Sequence, residues 1–367
     1  MKPIRVAVIG RTGRGNYGHG LDTVWLALGD EVEIVAVADE DEKGRAAAAA
    51  RLKAPAAFAD YREMLDKVRP QVVSVAPRRP DCHRDMVIAC AEAGAAIFLE
   101  KPMARTLEEA DEMIAACERK HVHAAIAHQT RYSPRLARVR EMIAEGALGR
   151  VLELRGRGKE DARVGGEDLM VLGTHVFDLM RQLAGDARWC FADIRRAGRP
   201  ATGDDVRPGG EEIGPVLGDD IAAMYGFDAG VRGHFATQPA PGGRGERFGL
   251  QVFGSKGMIT LTTGSLPEAW FCPDPTWSPG RSKAAWREIT SAGVGKPEPL
   301  KDGGLGQGNV WIVRDLLEAV AKDRRPLGSL YDGRAALEMI LAVYQSHRLR
   351  GPVGLPLKNR RHPLQTP

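Results

Sequence analysis

Cysteine is scarce and unpatterned in this chain. Cys82, Cys90, Cys117, Cys190 and Cys272 are odd in number and widely spaced, and no two form a C-x-x-C. That excludes a disulfide framework and a zinc knuckle and fits a reducing compartment. No His/Cys/Asp cluster has metal-ligand spacing, so no metal is expected. Long apolar runs are missing too. None approaches the roughly 18 consecutive apolar residues of a membrane helix, and no membrane partner is expected. A charge of one sign is also absent: 52 Lys and Arg stand against 48 Asp and Glu, spread along the chain, and the net charge of +4 gives no reason to expect nucleic acid. Met1 is followed almost at once by the apolar run Ile4–Ile9. No charged start, apolar core and cleavage site of a secretion signal is seen, so a cytoplasmic location is expected. What remains is 367 residues, 43% hydrophobic, with 43 glycines and 23 prolines: a loop-rich globular chain long enough for two domains and a sizeable core.

The first third alternates short β-branched runs with helical patterns. Arg5–Ile9, Glu33–Ala38, Val72–Ala76, Ala96–Leu99 and His123–Ala127 read as strands. Helices are expected after the first strand to about Leu28, around Glu42–Leu52, around His83–Ala93 and from Leu107 to Arg119. Alternation at this spacing predicts βαβ units and a parallel sheet. The pattern then changes. Pro134–Glu145 is helical, Gly146–Gly149 turns into the strand Val151–Arg155, and a helix is expected around Asp168–Leu183. From Trp189 to Thr263, period-2 runs including Ile221–Phe227, Val231–Ala236, Gly249–Phe253 and Met258–Thr262 predict a largely antiparallel sheet. Arg196–Gly218 and Cys272–Gly308 read as long loops. Helices resume at about Asn309–Asp323 and Tyr331–Gln345, and the tail from Gly351 shows little packing potential. Domains are expected at 1–127 and 128–350, with a helix near 331–346 packed between them and 351–367 as a tail.

After the first strand comes Gly10-Arg-Thr-Gly13-Arg-Gly15-Asn-Tyr-Gly18-His19. Glycines there let the backbone turn sharply and approach a pyrophosphate at a helix N-terminus. Gly10, Thr12, Gly13, Arg14 and Gly15 are therefore candidate cofactor residues, with Thr12 where a second glycine would normally fall. Asp39 ends the second strand, where a carboxylate can accept both ribose hydroxyls of an adenosine. Glu40 and Asp41 follow it, a negative field that repels a 2′-phosphate, so NAD is expected in preference to NADP. Arg11, Arg14 and Arg45 are the features that would favour NADP.

At the end of the fourth run stands Phe98-Leu-Glu100-Lys101-Pro102. With the preceding features it resembles the Gfo/Idh/MocA family of NAD(P)-dependent oxidoreductases. Val73-Ser-Val-Ala-Pro77 with His83, Gln129-Thr-Arg-Tyr-Ser-Pro134, Gly146-Ala-Leu-Gly149, Gly173-Thr-His175-Val-Phe-Asp178 and Gly254-Ser-Lys-Gly257 look like further landmarks of that family, in its order. The resemblance implies a Rossmann domain followed by an α/β domain on a large, open, mainly antiparallel sheet. It also implies hydride transfer between alcohol and ketone on sugars, polyols or their derivatives, and cofactor contacts at Pro77, His83, Glu100 and Lys101. The open sheet face commonly packs on another subunit, so a homodimer or homotetramer is expected.

Oxidising a secondary alcohol needs a group to take the hydroxyl proton and a cation to steady the developing alkoxide. Lys101 and His175 are the candidates. At helical spacing Asp168, Val171, His175 and Asp178 share one face, so two carboxylates are expected to bracket the imidazole. The family usually has Asp where this chain has Val171, so either Asp168, one turn earlier, substitutes, which is the expectation, or the substrate and chemistry differ. Asp178 would orient His175 or bind a substrate hydroxyl. Arg131 and Tyr132 are further candidates for the substrate side, and the charged stretch Lys159–Arg163 for its mouth. Arg78 and Arg79 have the chemistry to hold a carboxylate or phosphate. Three functions are distinguished: an ordinary dehydrogenase of sugars, glycosides or cyclitols; redox-neutral glycoside cleavage through transient oxidation by NAD; and a non-catalytic sugar or nucleotide sensor.

Overall fold

The computed structural model describes residues 2–239 and 247–365. The chain divides into two compact units, one made of 1–129, 210–213 and 305–334, the other of 130–209, 214–304 and 335–367.

The first unit holds six parallel strands, β1 (Ile4–Ile9), β2 (Val32–Ala38), β3 (Ala56–Phe58), β4 (Val72–Val75), β5 (Ala96–Leu99) and β6 (Ala124–Ile126), in the order β3-β2-β1-β4-β5-β6. β4 and β5 are buried along their whole length, as expected for strands covered on both faces. Helices α1 (Glu42–Leu52), α2 (Tyr61–Val68), α3 (His83–Glu92) and α4 (Leu107–Arg119) connect them. Asp41, Asp60 and Thr106 cap α1, α2 and α4 by accepting backbone N–H bonds, which satisfies donors that have no partner inside the helix. The strand order reverses between β1 and β4, where α/β sheets of this kind bind ligands.

The helix expected after β1 does not form. Gly13, Gly15, Asn16, Gly18 and Gly20 all take positive φ, which no right-handed helix accommodates. Turns run instead to a 3-10 stretch, Thr23–Glu31, interrupted at Gly29.

The second unit is built on an eleven-stranded sheet. Its strands are β7 (Val151–Arg157), β8 (Trp189–Arg196), β9 (Arg199–Pro200), β12 (Asp220–Gly226), β13 (Arg232–Thr237), β14 (Gly249–Gly254), β15 (Met258–Thr262), β16 (Ala269–Cys272), β17 (Arg287–Thr290), β18 (Gly293–Val294) and β19 (Val353–Gly354); a separate pair joins β10 (Arg207–Pro208) to β11 (Pro215–Val216). All ladders are antiparallel except β7 with β13. One sheet face packs on helices: a Cβ on Gly156 would strike Val176 and Met180. On the other, Phe191, Met224, His234, Gln251 and Trp270 lie near one cross-strand row, each at least partly exposed.

Pro134–Ala144 forms α5 as expected, but three expectations fail here. The stretches read as long loops carry short strands, β9, β10 and β11 in Arg196–Gly218 and β17 and β18 in Cys272–Gly308. The helix around Asp168–Leu183 is two helices, α6 (Gly166–Val171) and α7 (Gly173–Ala184), broken at Leu172. The tail packs: Val353 pairs with Cys190, Leu357 and His362 are buried, and the Leu357 N–H donates to Glu338. Its apolar residues are too far apart to show a period, yet each finds a place.

Candidate active site

In the first unit the candidate cofactor residues gather at the C-terminal ends of β1, β2, β4 and β5. Asp39, buried at the end of β2, accepts the Thr12 N–H at 3.2 and 3.1 Å, the Thr12 hydroxyl at 2.7 Å and the Asp41 N–H at 3.0 Å. Gly15 brings the loop after β1 against the loop after β4: a Cβ there would lie 2.8 and 2.9 Å from the amide nitrogens of Arg78 and Arg79. Gly13 faces open space. Arg11 donates to Asp81 at 2.9 Å and Arg14 lies 3.6 Å from the same carboxylate. Arg79 sits 3.7 Å from Glu212, whereas no carboxylate reaches within 4 Å of Arg78 among the described residues.

Lys101 is buried, between Glu100 and a cis Pro102. His83 holds this segment in place. Its fully buried ring faces the Pro77 carbonyl at 2.7 Å through Nε2 and the Pro102 and Met103 carbonyls at 3.0 and 3.2 Å through Nδ1. It therefore ties the end of β4 to the end of β5, a positioning task. The Glu100 carboxylate is buried, with Oε1 2.8 Å from His19 Nδ1 and Oε2 without a hydrogen-bond partner. His19 in turn accepts, through its carbonyl, from Asn309, whose side-chain oxygen accepts from Gln129.

In the second unit the acids behave differently. Asp178, on α7, forms a buried ion pair with Arg131, whose Nε approaches both carboxylate oxygens at 3.1 Å. With the Gln182 amide turned so that its oxygen faces the guanidinium, the orientation that satisfies both groups, that oxygen accepts from Arg131 at 2.6 and 2.9 Å. Asp168 is fully buried and accepts from the Thr237 hydroxyl at 2.5 Å and from the Lys159 and Glu160 N–H groups at 3.1 Å. Burial pushes its carboxyl up, against the lowering pull of those three donors. The expected bracket of two carboxylates on one helical face is thus corrected. The break at Leu172 puts Asp168 and His175 on separate helices, and both Asp168 oxygens are engaged within the protein, so Asp168 does not present itself as a replacement for the acid missing at Val171. His175 is half-buried, its ring edge-on to Phe248 at 6.2 Å, and Tyr132 is half-buried nearby in sequence to Arg131.

Sequence reasoning missed His19 and Arg247, and offered Glu160 only as part of the charged stretch Lys159–Arg163 at the substrate mouth. Glu160 is buried at positive φ, pairs with Arg157, accepts the Gln238 N–H at 3.1 Å and lies 2.6 Å from Arg247. The charge density of that stretch marked it, but nothing in its pattern showed that Glu160 turns inward onto two arginines. Among the described residues no group of three or more His, Cys, Asp or Glu is placed to hold a metal, and no helix is long and apolar enough to cross a membrane.

Comparison with known proteins decides the family. The model for the oxidoreductase family with an NAD-binding Rossmann fold matches residues 4–128, and that for the GFO/IDH/MocA C-terminal domain matches 136–260. The chain belongs to the Gfo/Idh/MocA family. It is an NAD-binding dehydrogenase. The levoglucosan dehydrogenase of Pseudarthrobacter phenanthrenivorans is 27% identical over 87% of this chain and 89% of that protein. The myo-inositol 2-dehydrogenase of Thermotoga maritima is 26% identical over 70% of this chain and 74% of its own length. A solved levoglucosan dehydrogenase in complex with NADH and L-sorbose shares the fold, with a TM-score of 0.77 and 24% identity over 97% of this chain and 100% of that one.

The residues present fit NAD. An open glycine at 13 and a buried carboxylate at the end of β2 are features by which such a sheet edge takes a dinucleotide, and the unpartnered Glu100 oxygen at the end of β5 offers a further acceptor.

Proposed function

We propose that this enzyme oxidises a secondary hydroxyl of a sugar, glycoside or cyclitol, with Lys101 and His175 at the reacting alcohol. The observation that carries the reading is Lys101 itself, a buried lysine at the end of β5, next to Pro102, whose carbonyl His83 ties to the end of β4. A lysine so enclosed is not a solubilising surface charge. Its ammonium binds the substrate oxygen and steadies negative charge as it develops there. His175 takes the hydroxyl proton, and the half-buried ring against Phe248 keeps it oriented. NAD, when bound, accepts the hydride from the same carbon, so the products are a ketone, NADH and one proton. Glu100 and Asp39 hold the nicotinamide and adenosine ends. The pair Arg131 and Asp178 positions α7 and with it His175, while Asp168 holds the turn at Lys159 and Glu160.

Relatives named for levoglucosan, myo-inositol and D-glucosides support the carbohydrate and cyclitol class. The five free cysteines agree with a cytoplasmic setting. The partly exposed row across the open sheet supports a homodimer or homotetramer, and light scattering that returned a monomer would remove that part. The deciding experiment is a screen of purified enzyme with NAD⁺ against sugars, glycosides and cyclitols, following NADH absorbance. Accumulation of NADH with one class of substrate is expected. Product formation without net NADH would overturn the reading in favour of redox-neutral cleavage.

A further inference from the structure

We propose that Thr12 is a positioning residue for the ribose-binding carboxylate and thereby sets the preference for NAD over NADP. The inference rests on the assignment of the first unit as the NAD site. Three segments interlock around Asp39. From the loop after β1, Thr12 gives its N–H and its hydroxyl to the carboxylate, the hydroxyl at 2.7 Å. From the end of β2, the Asp41 N–H reaches Oδ1 at 3.0 Å. From the first turn of α1, Arg45 donates to the Asp39 carbonyl at 2.7 Å, and Gly44 leaves room for Thr12, since a Cβ there would lie 1.9 Å from the threonine hydroxyl.

Asp39 is therefore held by a residue of the glycine-rich loop and by its own strand end together. Oδ1 accepts the Thr12 and Asp41 N–H groups and Oδ2 the Thr12 N–H and hydroxyl, so the plane of the carboxylate is fixed where a vicinal diol meets a set acceptor and a phosphate dianion is repelled. Without the Thr12 hydroxyl the carboxylate gains rotational freedom, the diol loses a pre-set acceptor, and Arg45 and Arg14 are left to attract a 2′-phosphate. Thr12 occupies the position where a dinucleotide loop usually has glycine, so the side chain adds this hold while the loop keeps its close approach at Gly15.

The test measures NADH and NADPH dissociation constants by nicotinamide fluorescence on the full chain, for the natural enzyme and for Thr12→Val, Thr12→Ser and Gly44→Ala, with thermal unfolding as a check on folding. Thr12→Val is expected to weaken NADH about tenfold and NADPH much less, narrowing the preference. Thr12→Ser keeps the hydroxyl and restores it. Gly44→Ala follows Thr12→Val because it pushes the threonine off the carboxylate. A folded Thr12→Val or Gly44→Ala with an unchanged NADH to NADPH ratio overturns the inference. If Thr12→Val does not fold, Gly44→Ala decides in the same way, and a Thr12→Ser enzyme that loses the preference while keeping its hydroxyl overturns the inference. Absence of NADH binding by the natural enzyme would instead refute the cofactor assignment itself.

Discussion

The two units use the same side chain in opposite ways. In the first, Asp39 and Glu100 sit at strand ends, Glu100 with one oxygen unpartnered and Asp39 held by backbone N–H groups and one hydroxyl of the glycine-rich loop and its own strand end. In the second, Asp168, Asp178 and Glu160 are turned inward, onto Thr237, Arg131 and a pair of arginines. A parallel strand delivers its last residue to an open edge by geometry, so an acid found there is available to a ligand. A helix laid on a sheet offers an acid no such outlet, and burial then demands a partner inside the protein. An acid next to a candidate catalytic residue in the sequence is thus a weaker sign of function on α6 or α7 than at the end of β2 or β5.

That contrast can be broken most sharply at Lys101. Lys101→Ala should cut turnover about a thousandfold while NADH still binds; fluorescence titration beside the steady-state rate separates the two, and lost NADH binding with an intact rate per bound enzyme would count against a catalytic lysine. The next largest effect belongs to the second unit. Arg131→Met leaves Asp178 buried without its cation and should cost about 3–5 kcal/mol in a urea titration, whereas a change under 1 kcal/mol would mean the pair is not structural.

His362 gives a pH test of the same inward habit. Burial lowers its pKa from 6.5 to about 4. The fold binds the neutral ring, so its contribution is complete above about pH 6.5 and is lost as pH falls toward 4, where the unfolded chain is protonated first. The loss should reach about 3 kcal/mol, and His362→Gln should flatten that acid limb of the stability curve; an unchanged limb would show that other groups cause it. The smallest effect expected is at Asp168. Asp168→Asn removes the cost of a buried charge but sets an amide N–H against a backbone donor, for a net loss of about 1–3 kcal/mol with NADH affinity unchanged. A shift in NADH affinity would mean that Asp168 acts on the cofactor end after all.

The parallel strands were legible because burial on both faces leaves a run such as Val72–Val75 without polar interruption, and Asp39 and Lys101 were legible because they end such runs. The glycine-rich loop was readable in its letters but not in its shape. Four glycines and Asn16 between positions 13 and 20 make a helix unfavourable, and that crowding was the missed signal. The α6–α7 break left less trace: Gly165 and Gly173 flank the segment, but Leu172 carries no mark of a boundary, so periodicity ran straight through it. Partnerships such as Arg131 with Asp178, 47 residues apart, depend on tertiary packing that no local pattern encodes.

The first unit is discontinuous in the chain, since residues 305–334 belong to it along with 1–129. Asn309 supplies the amide that links Gln129 to the His19 carbonyl behind Glu100. During synthesis the six parallel strands leave the ribosome long before the helix Leu305–Ala321 that carries Asn309. The nascent nucleotide-binding region must therefore wait, incomplete, while nearly the whole antiparallel sheet is translated. Cutting the gene after the last parallel strand would yield a fragment lacking one of its own walls.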